Sequence, residues 1–321
     1  MKINNSFLLI RNLSIYFYAK KKIIKAVDGV TLEVKKGETV GIAGESGCGK
    51  STLARSILRL VPPPGEIVSG EILYKRSNIL KINDQQLRNI RGNKISIIFQ
   101  DPSIYLNPTV SIGKQICDVI MAHNNVSFKN ARSKTIQLLD ELEIQEPGDR
   151  FKNFPYEFSG GMKQRVLIAM AISCNPELVI ADEPTTALDV TIQRQILELI
   201  KGKLIKKDSS FLFITHDLGI LAEICDRIYI MYAGSIVEQA KATDLFQKPL
   251  HPYTQKLLAA IPRHDIRKEL TEIKGSPPRL DNLPIGCSFY PRCDIHTEKC
   301  YQERPPLYKV DEDHFVRCYN V

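Results

Sequence analysis

Apolar and polar positions alternate over residues 7–18, and the same two-residue period returns at Val30–Val34 and Thr39–Ala43, which predicts three β-strands. Ile95–Gln100 (ISIIFQ) reads as a buried strand, and short, continuous apolar runs stand at Leu178–Ala181 (LVIA) and Phe211–Thr215 (FLFIT). Runs of this length with no polar face mark strands covered on both sides, as in a parallel sheet. Helical periodicity occupies 111–145, ending before Pro147-Gly148, then 161–174 and 190–206. Residues 61–70 (VPPPGEIVSG) read as a Pro/Gly break, and Ala233-Gly234 joins Ile228–Tyr232 to Ser235–Glu238 as a closing hairpin. The strand–helix–strand alternation predicts an α/β fold around a parallel sheet. From about residue 247 the chain becomes rich in Pro and Cys, which places a boundary between a 1–246 domain and a 247–321 extension.

No stretch approaches the 18 or so consecutive apolar residues of a membrane span. Phe7-Leu8-Leu9-Ile10 is followed at once by Arg11, and such a run after Lys2 is too short for a signal-peptide core. The expectation is a chain that stays in the cytoplasm and reaches a membrane only through a partner. Net charge is +8, but the basic residues are spread along the chain. The run Lys20-Lys21-Lys22 lies between two strand-like segments and reads as a solvated hairpin loop, so charge gives no case for nucleic acid. Cys48, Cys117, Cys174 and Cys225 are scattered, as expected of free, mostly buried thiols in a reducing compartment.

Gly44-Glu45-Ser46-Gly47-Cys48-Gly49-Lys50-Ser51-Thr52 is a full G-x-x-x-x-G-K-[ST] loop between a strand (Glu38–Ala43) and a helix (Thr52–Leu60). The glycines let the backbone curl so that its N–H groups face phosphates. Lys50 can reach the β/γ-phosphates, and the Ser51 hydroxyl can ligate Mg²⁺. Asp182-Glu183-Pro184 closes the Leu178–Ala181 strand, where Asp182 can hold Mg²⁺ and Glu183 can polarise an attacking water. Phe158-Ser159-Gly160-Gly161-Met162 opens a helix; it reads as a second anion site or as a plain helix cap.

Taken in order, these motifs resemble the ATP-binding subunits of ABC transporters over roughly residues 7–240. Gly44–Thr52 matches the Walker A loop, Gln100 the Q-loop glutamine, and Phe158–Met162 the signature, with Phe and Met replacing its usual flanking residues. Asp182 and Glu183 match the Walker B aspartate and catalytic glutamate, Ala187-Leu188-Asp189 the D-loop, and His216 the switch histidine. The resemblance implies a P-loop cassette with a parallel-sheet core, an antiparallel β subdomain and a helical subdomain. It implies ATP and Mg²⁺, the metal organised by Ser51, Gln100 and Asp182, with His216 contacting the γ-phosphate. It also implies a head-to-tail pair in which Ser159, Gly160 and Gly161 of one cassette meet nucleotide on the other. Phe17 best matches the aromatic that stacks on adenine, although a strand-core role competes; Tyr16 and Tyr18 take the opposite face. Asp101–Pro108 resembles the segment that touches the transmembrane subunits.

His251-Pro252-Tyr253-Thr254, Gly275-Ser276-Pro277-Pro278 and Gly286–Cys293 resemble the tail of oligopeptide and dipeptide importer ATPases. That likeness implies two permease subunits, an extracytoplasmic peptide-binding protein, a second ATPase subunit and a place on the cytoplasmic face of the inner membrane. A nickel or other small-solute importer of the same family fits the same motifs. Cys287, Cys293, Cys300 and Cys318 stand close together in a core-poor segment. The close C-x2–4-C pairs favoured by zinc are absent, and a set of four thiolates also suits an iron–sulfur cluster. Some relatives carry a 4Fe–4S centre in this tail; free thiols and zinc are the alternatives.

Overall fold

A computed structural model describes residues 6–19, 22–186, 188–204, 209–261 and 273–321. Lys2, Lys20, Lys21, Ala187 and the last two residues of the helix expected over 190–206 lie outside these segments. The chain forms two compact units, one from Met1–Leu80 and Phe213–Val321, the other from Lys81–Leu212.

In the first unit, β1 (Ser6–Ala19) and β2 (Lys22–Lys35) pair antiparallel, with Ile10 opposite Leu32 and Phe17 opposite Ile24. β3 (Thr39–Ala43) is buried at every residue and leads through the glycine loop into α1 (Lys50–Ile57). β4 (Gly65–Tyr74) and β5 (Ser77–Asn78) complete an antiparallel sheet of order β2-β1-β4-β5. The break expected over 61–70 therefore ends early. Gly65 already pairs with Phe17, and a Cβ there would come within 2.6 Å of the Phe17 ring, so glycine permits the strand to start.

The second unit opens with α2 (Asp84–Ile90), β6 (Ile95–Ile98) and α3 (Pro102–Tyr105). The periodicity of 111–145 resolves into α4 (Ile112–His123) and α5 (Phe128–Glu141) rather than one helix. The Asn124 side chain donates back to the Ile120 carbonyl at 2.9 Å, and Ser127 caps α5 by accepting from the Asn130 N–H. α6 (Pro147–Arg150), α7 (Gly160–Ile172), β7 (Leu178–Asp182) and α8 (Val190–Leu199) follow. A single π-helical turn, Ile200–Leu204, ends the helical stretch. β6 and β7 are parallel, Ile98 opposite Ala181, in keeping with a sheet covered on both faces.

β8 (Ser210–Ile214) carries the chain back to the first unit, where Thr215 N–H donates to the Ile42 carbonyl of β3. α9 (Leu218–Ile224), β9 (Arg227–Tyr232) and β10 (Ser235–Lys241) come next, β9 lying parallel to β3 and antiparallel to β10 through the expected Ala233-Gly234 turn. After α10 (Ala242–Gln247) and α11 (Pro252–Ala259), the tail holds α12 (Lys299–Gln302), β11 (Tyr308–Lys309) and β12 (Phe315–Val316). β12 pairs with β10, Val316 opposite Glu238, so the tail extends the sheet built around β3. Among the described residues no helix is long and apolar enough to cross a membrane.

Candidate functional site

The buried β3 delivers Gly44–Thr52 as a curled loop. Gly44, Gly47 and Gly49 adopt φ of +155°, +77° and +108°. A Cβ at Gly44 would stand 2.1 Å from the Met231 carbonyl oxygen, and one at Gly49 would stand 2.0 Å from that of Ala26. Only glycine fits either place. Gly234 N–H donates to the Cys48 carbonyl at 2.9 Å, and Asp28 N–H to the Gly234 carbonyl at 2.8 Å, so the β9–β10 turn and β2 grip the loop. Lys50 is buried, 4% exposed, and its ammonium donates to the Gly44 and Glu45 carbonyls at 2.8 and 2.9 Å, which places a positive charge inside the curl. Ser46 and Gly47 are exposed at its rim, Ser51 and Thr52 are half-buried on the first turn of α1, and Cys48 is buried with its thiol pKa raised by burial.

Within the second unit, β7 ends in Asp182, which is 1% exposed. Glu183 follows in the left-handed region, φ +47°. That turn is costly for a residue with a Cβ, by about 1–2 kcal/mol, and it aims the carboxylate out of the strand line. Gln100 Nε2 donates to Glu183 Oε2 at 3.2 Å, and Thr186 Oγ1 donates to the same oxygen at 2.9 Å. The structure therefore brings Gln100 and Glu183 together. Thr186 is a holder that sequence reasoning missed, although its place three residues after Glu183 suits such a turn. Ser159 caps α7 by accepting from the Met162 N–H, and Ser159 and Gly160 are exposed. Gly161 is buried where a Cβ would meet Ile192 of α8 at 2.6 Å, so glycine here lets two helices approach closely. Asp189 caps α8 through the Ile192 N–H at 2.9 Å.

His216 belongs to the first unit. It is exposed on the turn after β8, and Asp217 caps α9 by accepting from the Gly219 and Ile220 N–H groups. Phe17 is half-buried over Gly65, while the Tyr16 hydroxyl on the other face donates to Asp28 at 2.8 Å.

The tail reaches the glycine loop within the first unit. Tyr253 is fully buried, and its hydroxyl accepts from the Glu45 N–H at 2.9 Å. Arg292 donates both terminal nitrogens to the Glu45 carboxylate at 2.7 and 3.0 Å. Phe289 packs on Tyr232, Tyr253 and His251, with ring centroids 5.2–5.7 Å away. Neither contact was read from the sequence; the signal available was a Tyr and an Arg within the quoted tail motifs. Cys287, Cys293, Cys300 and Cys318 line one small cavity together with His251 and His296. Burial, and secondarily the other three thiols, pushes the Cys287 thiol up to about 11. Among the described residues, no group of His, Cys, Asp and Glu is drawn in closely enough to form a recognisable metal-ion site.

A buried strand, a glycine cradle around a lysine, and a second strand ending in Asp-Glu define a P-loop ATPase of the ATP-binding cassette class. Residues 27–186 match the ABC transporter family, and 237–300 match the oligopeptide/dipeptide transporter C-terminal region. The chain is 47% identical to the oligopeptide transport ATP-binding protein AppD of Bacillus subtilis, over 98% of this chain and 97% of that protein. It is 46% identical to a probable peptide ABC transporter ATP-binding protein of Sinorhizobium fredii, over 97% and 93%. The dimeric cassette MJ0796, solved in a post-hydrolysis state with ADP and Pi, superposes with a TM-score of 0.66 at 29% identity, over 73% of this chain and 98% of that one. The chain belongs to the ATP-binding proteins of ABC transporters. It is an ATPase and acts on ATP with Mg²⁺.

Proposed function

We propose that this ATPase powers uptake of di- or oligopeptides, fed by an extracytoplasmic peptide-binding protein and seated on its permeases at the cytoplasmic face of the inner membrane. The observation that carries this reading is the match of 237–300 to the oligopeptide/dipeptide transporter C-terminal region, in a chain whose relatives over nearly their whole length are peptide-transport ATPases. Exposed apolar side chains after Gln100, with Ile104 73% exposed, support a docking role for Asp101–Pro108. The division at 246/247 is proposed on the change of composition and the start of the tail motifs there.

In this reading, Lys50 and the N–H groups of Gly44–Thr52 hold the β/γ-phosphates, and Phe17 stacks on the adenine. Ser51, Gln100 and Asp182 hold Mg²⁺, which neutralises phosphate charge. Glu183, held by Gln100 and Thr186, orients and deprotonates the attacking water. His216 contacts the γ-phosphate. Ser159, Gly160 and Gly161 face the nucleotide of the partner cassette, and Asp189 lies at the junction. Catalysis is positioning and charge neutralisation. The four tail thiols have the ligand chemistry of an iron–sulfur cluster and line one cavity, but would have to draw closer to hold one; a core-poor tail would gain stability from such a staple.

The test is anaerobic co-purification of the tagged chain from its native membrane. Permeases, a second ATPase and a peptide-binding protein in the eluate, with peptide-stimulated ATP hydrolysis, are the expected result. A chain recovered only with ribosomal or DNA-repair proteins would overturn the assignment.

A further inference from the structure

Every polar group of Glu45, the second residue of the glycine loop, is held. Its N–H is bound by Tyr253, its carbonyl by Lys50 and its carboxylate by Arg292. A carboxylate is an odd passenger on a loop that receives a triphosphate, because it adds like charge to the site. The Arg292 guanidinium, with 4% of its side chain exposed, meets it in the fork-to-fork geometry that neutralises a carboxylate best. The remaining donor contacts of Arg292 fix it in place: Nε to the Lys274 carbonyl at 3.1 Å, Nη2 to the Ile273 carbonyl at 3.2 Å and Nη1 to the Tyr232 hydroxyl at 3.3 Å. The turn that carries it, Tyr290–Arg292, is bounded by Cys287 and Cys293, with Tyr290 N–H donating to the Cys287 carbonyl and Cys293 N–H to the Tyr290 carbonyl.

We propose that Arg292, supplied by the C-terminal extension, is a positioning residue for the phosphate loop that cancels the charge of Glu45 and so permits tight nucleotide binding. This rests on the reading of Gly44–Thr52 as the phosphate loop. The extension is then part of the nucleotide site, and the turn between Cys287 and Cys293 is the element that aims it. A positioning arginine acting through charge differs from a packing arginine in one measurable respect. Removing the negative partner as well restores function in the first case and leaves it impaired in the second.

The experiment uses the assembled transporter and a photoreactive ATP analogue, with labelling read on this chain alone. Arg292→Ala is expected to raise the half-saturating concentration about tenfold, less at high salt. Arg292→Ala with Glu45→Gln is expected to return to within about threefold of the unaltered protein. Glu45→Gln alone, an isosteric change that leaves Arg292 positive, is expected to bind at least as tightly; it carries the test if Arg292→Ala does not fold. Weaker binding by Glu45→Gln, or a double variant no better than Arg292→Ala, would overturn charge cancellation. Unchanged labelling of Arg292→Ala beside lost labelling of Lys50→Ala would overturn the proposal alone. Full labelling of Lys50→Ala would overturn the phosphate-loop reading, and the proposal with it.

Discussion

Glu183→Gln isolates one chemical property. The amide keeps the length of the side chain and one carbonyl oxygen, so Gln100 and Thr186 still have an acceptor where they now donate at 3.2 and 2.9 Å. The backbone at φ +47° is as accessible to Gln as to Glu, so no new strain enters. The structural cost is the difference between a charged and a neutral acceptor, about 1 kcal/mol per hydrogen bond, reduced because Glu183 is half-buried. The chemical cost is larger. Losing a general base slows turnover about 10²–10⁴-fold, or about 3–5 kcal/mol on the barrier. The expected outcome is a folded variant that binds ATP normally and retains it, with kcat for hydrolysis down at least a hundredfold in the assembled transporter. Turnover within about threefold of the unaltered protein would refute the role of Glu183. Glu183→Gly is the complement. It relieves the left-handed backbone but removes the acceptor of Gln100 and Thr186, so the two effects are expected to offset and leave Tm within a few degrees while turnover is abolished.

Gly49→Ala is expected to be worse for folding than an ordinary loop change, by about 2–4 kcal/mol, because left-handed strain adds to a 2.0 Å approach to the Ala26 carbonyl; thermal unfolding reads it, and an unchanged Tm contradicts the loop geometry. Cys→Ser at Cys287, Cys293, Cys300 or Cys318 is expected to remove iron and acid-labile sulfide from anaerobically purified protein and to lower the Tm; metal content unaltered in all four would leave the thiols free. Burial holds the His251 imidazole down to about 4, opposed by the Glu238 charge and by a hydrogen bond to the Arg317 backbone and assisted by the Arg317 charge, while His314 shares Glu238. The unfolded chain therefore takes up this proton first. Stability is complete above about pH 6.5 and falls as pH drops toward 4, by up to about 3 kcal/mol. His251→Asn, which keeps a capping acceptor for the Tyr253 N–H, is expected to flatten that slope in denaturant titrations at pH 7 and 5.

Much of the cassette was legible because its chemistry is local. A glycine cradle needs glycine at fixed offsets, a strand between layers needs an unbroken apolar run, and a carboxylate at its end needs only the next residue. Gly44–Thr52, Asp182-Glu183 and the Ala233-Gly234 hairpin could be read for that reason. The span 111–145 was legible as helical but not as two helices, because apolar spacing continues across Asn124–Ser127; two side-chain caps, invisible to periodicity, split it. Only the tertiary structure set Thr186 against Glu183, gathered four thiols spread from 287 to 318 onto one cavity, and put Arg292 on Glu45, 247 residues away in the chain. A salt bridge between distant segments leaves no period and no spacing in the sequence, because its partners are chosen by how the tail packs through β12, Phe289 and Tyr253. The sequence alone determined the glycine loop and the motifs around it; the fold decided what holds that loop in place.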